Sequence, residues 1–199
     1  MSSTNVLPLL VLVLVLLLCS LKSHQIFATA EPDDLIQKTC KTTLYNDLCV
    51  ASLRSNSSSA KADTKGLAVI MIGIGAANAN ETYTYLSSQL LLLLKGKKDS
   101  TSTSTRGLTR NKVLRLCAER YMFASQALQE AVQDVEQMSQ DYAYVQVSAA
   151  KDYPNVCHNA FKRVPSLAYP PELAKREENL VQICDVATGI MDLIDWDQN

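Results

Sequence analysis

The sequence predicts an all-α protein: an antiparallel up-and-down four-helix bundle with a short N-terminal helical hairpin, stapled by disulfides. Three observations lead there. Apolar residues recur at spacings of three and four along 108–135 and again along 180–194, the seam pattern of packed helices. No segment alternates polar and apolar residues between turn signals, so no strands are expected. Finally, Cys40 and Cys49 stand nine positions apart and Cys117 and Cys157 forty apart, behind an apolar leader. A leader of that kind sends a chain to an oxidising compartment, where thiols become candidate staples.

In chain order, Val6–Leu18 is apolar except for Pro8, and Ala28-Thr29-Ala30 has the small-residue pattern of a cleavage site. The run is shorter than the roughly 18–20 residues a spanning helix needs. Residues 1–30 are therefore read as a signal peptide, with cleavage after Ala30 and residues 31–199 as one domain. Residues 31–56 form the hairpin. Its helices, Asp33–Thr39 and Asp47–Arg54, have about two turns each, too few to stand alone. A Cys40–Cys49 bridge would close about ten residues and contribute about 2.5–3 kcal/mol on the chain-entropy model.

The bundle is expected over 63–196. Asp63 can cap its first helix, which carries Leu67, Ile70, Met71 and Ile74 on one side. Gly66, Gly73 and Gly75 each weaken that helix by about 1 kcal/mol relative to Ala, so tertiary packing must hold it. Leu90–Leu94, followed by Lys95, Lys97 and Lys98, reads as a buried helix end, and Asp99–Thr105 as a flexible Ser/Thr-rich connection. The second helix has the clearest stripe: Leu114, Cys117, Tyr121, Ala124, Leu128, Ala131 and Val135. The third, Tyr142–Val164, is read with Val145, Ala149, Val156 and Ala160 buried, and with Pro154 removing one backbone bond and kinking it. Pro171 opens the fourth, where its missing donor costs nothing, and Leu180, Ile183, Ala187, Ile190 and Ile194 form its stripe. Disulfide Cα atoms lie about 4.4–6.8 Å apart. If Cys117 and Cys157 pair across neighbouring antiparallel helices, the turn centres near residue 137, where the stripe has ended and polar residues follow. Cys184 is left over beside Ile183 and is expected as a buried, free thiol.

Composition excludes several functions. Without the leader the chain is 169 residues long, and Lys22 is the only charge removed, leaving 18 basic and 20 acidic residues. Such a balance gives no general attraction to nucleic acid or, after signal cleavage, to a membrane. The single remaining histidine, His158, has no sequence-nominated nucleophile or orienting partner. Asp192, Asp195 and Asp197 lack the glycine-centred loop of a calcium site. No catalytic residue, metal site or cofactor is expected, and the chain is read as a non-enzyme. Asn56-Ser57-Ser58 and Asn80-Glu81-Thr82 are glycosylation acceptors, which predicts that Asn56 and Asn80 face solvent.

The leader, the Cys40/Cys49 hairpin, Asp63-Thr64-Lys65-Gly66-Leu67-Ala68 and the Cys117/Cys157 pair together resemble the plant invertase and pectin methylesterase inhibitor family. The resemblance covers nearly the whole chain after the leader. It implies pairing of the first cysteine with the second and the third with the fourth. It also implies a protein that blocks its target by stoichiometric complex formation in the cell wall (apoplast) or, alternatively, the vacuole; a monomer is expected. Invertase inhibitors of the family often carry Pro-Lys-Phe in the turn between the second and third bundle helices. Here Gln140-Asp141-Tyr142 occupies that place, so the motif is not carried over. Pectin methylesterase is then the first expectation for the target and acid invertase the alternative. A secreted carrier of a small apolar ligand, with Leu90–Leu94 lining its pocket, is the reading from another class. The candidate target contacts are Gln140, Asp141, Tyr142 and Tyr144, because a rigid turn with tyrosines makes a good anchor.

Overall fold

A computed structural model describes residues 32–96 and 105–197. The leader and its cleavage site, Lys97, Lys98 and the connection up to residue 104 lie outside the described residues. The elements are α1 (Pro32–Cys40), α2 (Asn46–Ser55), a 3-10 turn (Ser57–Lys61), α3 (Thr64–Gly96), α4 (Thr105–Glu136), α5 (Gln140–Lys162) and α6 (Pro171–Met191). No strand occurs among the described residues. Helices α3 and α5 each pack against both α4 and α6, which closes an up-and-down four-helix bundle. The α1–α2 hairpin packs against α3 and α6.

Asp63 starts α3 as its chemistry demands. Its carboxylate accepts from Gly66 N at 2.7 Å, and its carbonyl accepts from Leu67 N at 2.9 Å. Leu67, Ala68, Met71 and Ile72 are buried behind it, with Ile70 and Ile74 partly buried beside them. Farther along, α3 crosses α4 and α6 closely. A Cβ on Gly75 would lie 3.1 Å from Ile183 Cγ2 and 3.2 Å from Leu128 Cδ1. Ser125 on α4 donates to Ala76 O at 3.0 Å at the same crossing. All seven residues of the expected α4 stripe are buried, as are Leu180, Ile183, Ala187 and Ile190 on α6. Pro171 is the first residue of α6.

Two expectations about burial fail. Leu91 and Leu92 are 58% and 61% exposed, so the leucine run is not a buried helix end. Five consecutive helical residues point around the whole circumference, and a helix packed on two neighbours cannot cover all of them. On α5, Val145 and Val156 are 64% and 42% exposed; the core face is instead Ala143, Val147, Ala150, Pro154, Cys157 and Phe161, with Ala160 beside it. The cause is the Cys117–Cys157 disulfide, Cα–Cα 4.6 Å. It turns Cys157 toward α4, and residues three and four apart from it follow onto the same face. The helix runs on through Pro154 to Lys162.

The hairpin is held the same way. Cys40 and Cys49 are joined with Cα atoms 5.5 Å apart, and Ile36 and Leu53 are buried with them. Thr43 in the link between α1 and α2 donates to Cys40 O at 2.8 Å and rests on the side-chain-free surface of Gly189 in α6.

Candidate functional site

At one end of the bundle, α4 gives way to α5 through Gln137–Ser139. Ser139 N donates to Asp134 O at 2.8 Å and Met138 N to Val135 O at 3.1 Å. Met138 between them sits at φ 58°. These are the two bonds and the left-handed residue of a Schellman closure, with Met in the place Gly usually takes. The turn is tight and internally bonded, and it leads directly into the first turn of α5.

Of the expected contact residues, Gln140, Asp141 and Tyr142 are exposed, Tyr142 to 70%. Tyr144 differs. Its hydroxyl donates to Asp192 Oδ1 at 2.5 Å, and its ring lies 6.4 Å from that of Trp196. Burial, followed by the bond to Asp192, holds the Tyr144 hydroxyl above the ordinary tyrosine range. Tyr144 therefore works inside the molecule, tying α5 to the segment after α6, while Tyr142 presents its ring to solvent.

Tyr142 does not stand alone. Tyr142, Val145, Ala149 and Val156 recur at helical spacing on α5, with Val145 and Val156 exposed and Ala149 half-buried. Thus α5 is apolar on two faces, one in the core and one in solvent. The helix is also pinned on both sides. Toward α4 it has the disulfide and Gln146 Nε2 donating to Glu130 Oε2 at 2.7 Å. Toward α6 it has the Lys151–Asp185 ion pair, in which the Asp185 hydrogen bond raises the lysine pKa. At the far end His158 Nδ1 lies 3.2 Å from Glu177, its ring stacked on Tyr169 at 4.3 Å. Tyr169 donates to Glu177 Oε2 at 2.7 Å. His158 is thereby occupied in fixing the α5–α6 connection. Among the described residues no group of three metal-ligating side chains converges.

The remaining sequence-nominated residues are spread over the molecule. Asn80 is exposed on α3; Asn56 is half-buried, because its side chain accepts from Ser58 N at 2.9 Å to cap the 3-10 turn. Solvent exposure was expected of both, and the capping bond explains why Asn56 departs from it. Cys184 is free and buried, with burial pushing its thiol up to about 12. Sequence reasoning missed Asp192 and Trp196 as supports for Tyr144, and placed Val145 and Val156 in the core. Counting back from Cys157 by four and three would have exposed the second error.

A family model described as plant invertase/pectin methylesterase inhibitor matches residues 34–190. The chain is 41% identical over 183 residues to a cell wall/vacuolar inhibitor of fructosidase 2 from Arabidopsis thaliana, covering 92% of this chain and 96% of that protein. It is 41% identical over 160 residues to pectinesterase inhibitor 28 of Oryza sativa subsp. japonica, covering 80% and 69% respectively. The fold resembles the crystal structure of a mutant form of a pectin methylesterase inhibitor from Arabidopsis, with a TM-score of 0.59, 21% identity, and coverage of 80% of this chain and 96% of that one.

Proposed function

The chain belongs to the plant invertase/pectin methylesterase inhibitor family, and from that premise we propose that it is a protein inhibitor of a plant carbohydrate-active enzyme of the cell wall or vacuole. It acts by stoichiometric occlusion and carries out no chemistry of its own. The observation that carries this reading is the solvent-facing apolar stripe on α5, continuous with the turn at Gln140–Tyr142. An exposed apolar stripe costs solubility unless a partner covers it. Pinning α5 through a disulfide, an ion pair and several hydrogen bonds fixes the contact residues before binding, so little conformational entropy is lost on docking. A 23-residue helix is about 35 Å long, enough to span a standard protein–protein interface of about 1,600 Å² in total.

Pectin methylesterase and acid invertase are the two targets to be distinguished. The relative whose alignment nearly spans both chains is the fructosidase inhibitor, which favours the invertase arm; the pectinesterase inhibitor at equal identity supports the other. No helix among the described residues is long and apolar enough to cross a membrane, and the inhibitor is taken to act as a monomer. The test is titration of the secreted protein against a plant pectin methylesterase and a plant acid invertase. One equivalent abolishes one activity, and the inhibitor is recovered uncleaved. Full activity of both enzymes at about tenfold excess would refute the proposal.

A further inference from the structure

The end of the bundle remote from the α4–α5 turn is basic on three of its four helices; α6 starts there with Glu172, which is already paired to Arg176 at 2.8 Å. The up-and-down connectivity brings the end of α3, the start of α4 and the end of α5 together there. Those segments present Lys95, Arg106, Arg110, Lys112, Lys162 and Arg163, all exposed. Residues 82–96, 105–118 and 153–171 contain no Asp or Glu, and among the described residues none of the six cations meets a carboxylate. In a chain of net charge −1, this is a segregated basic pole. Unlike a mixed charged surface, such a pole attracts polyanions and focuses their approach.

The pole has a cleft of about 440 Å³. Leu93, Leu114, Phe161, Leu167 and Pro170 line it, and Arg106 and Arg110 border it. Arg106 is fixed by donating through Nη2 to Ser166 O at 2.8 Å. A guanidinium has five N–H donors in a planar fork suited to a carboxylate, so one such bond leaves it competent to bind an acid. A cleft with apolar walls and guanidinium edges suits a ring with one C–H face and one carboxylate. The cations beyond the cleft, on α3 and α5, suit further carboxylates repeated along a polymer.

We propose that this pole binds an acidic polysaccharide of the polyuronate class, one sugar ring seated in the cleft and neighbouring carboxylates on the flanking Lys and Arg residues. The site goes beyond the inhibitor reading and uses none of the residues of the outward α5 stripe. Leu91, Leu92 and Leu108, exposed at the same pole, make an anionic lipid surface the rival occupant.

The test measures binding of the secreted protein to polygalacturonate, to its fully methyl-esterified form, and to phosphatidylserine vesicles, at low and high salt. Polygalacturonate binds, the uncharged ester does not, and salt weakens the complex. The triple variant Arg110→Gln/Lys162→Gln/Arg163→Gln, which alters only exposed side chains, binds roughly tenfold more weakly with an unchanged melting temperature. Equal binding of the esterified polymer, unchanged affinity in the triple variant, or tighter binding to vesicles would each overturn the proposal. Enzyme titrations run alongside keep the two readings apart, since a protein that binds polygalacturonate yet inhibits neither enzyme refutes only the inhibitor reading.

Discussion

Met138 closes α4 in the left-handed region at φ 58°, where a Cβ crowds the following carbonyl at a cost of roughly 1–2 kcal/mol. Glycine escapes that crowding but has more backbone freedom to lose on folding. Met138→Gly is therefore expected to raise stability by about 0.5–1 kcal/mol in urea denaturation. Cys184 makes a second prediction at this scale. Burial, with Asp185 adding to it, pushes its thiol up to about 12 from an ordinary value of 9.0. The unfolded chain thus ionises first as pH rises. Stability from this group is fully present below pH 9 and is lost progressively as pH climbs toward 12. Urea midpoints measured across that range should fall, and the fall should be smaller in Cys184→Ala when each variant is compared with its own midpoint at neutral pH. In the native protein at neutral pH, the thiol should also resist a disulfide reagent that labels it once the chain is unfolded.

At the scale of elements, α3 offers a controlled comparison of two helical glycines. Nothing lies within 4 Å of a Cβ built on Gly73, whereas one on Gly75 meets Ile183 and Leu128 at 3.1 and 3.2 Å. Gly73→Ala should stabilise by about 1 kcal/mol through helix propensity alone. Gly75→Ala should gain less or lose stability, because α4 and α6 must give way; thermal melts of the two variants decide it. The same packing logic explains what could be read from sequence. The α4 and α6 stripes were legible because each had one apolar face. On α5 there are two, and apolar periodicity alone cannot say which faces the core. The bulky Val145 and Val156 suggested the wrong one, while Ala143, Val147 and Ala150 follow from Cys157 by helical spacing. The leucine run at the end of α3 misled for a related reason: hydrophobicity reports a preference for burial, whereas neighbouring helices decide how much surface is covered. Asp192 and Trp196 had no local signal, since their partner Tyr144 lies 48 positions from Asp192.

Across the whole molecule, the fold separates two surfaces. The Cys117–Cys157 bridge closes a loop of about forty residues and is worth about 4 kcal/mol on the chain-entropy model. It locks α5 against α4, so that the Tyr142 turn and the outward stripe form one rigid face. The basic pole lies at the end of the helices remote from that turn. The central claim is that the outward face of α5 contacts the target enzyme. Tyrosine anchors at interface centres typically cost 2 kcal/mol or more when truncated, roughly thirtyfold in affinity. The most direct test is the inhibition constant of Tyr142→Ala/Val145→Ser, measured against whichever enzyme the wild-type protein titrates. Both side chains are exposed, so the melting temperature should hold while inhibition weakens by at least about thirtyfold. Unchanged inhibition in that folded variant would contradict the account and place the contact elsewhere on the bundle.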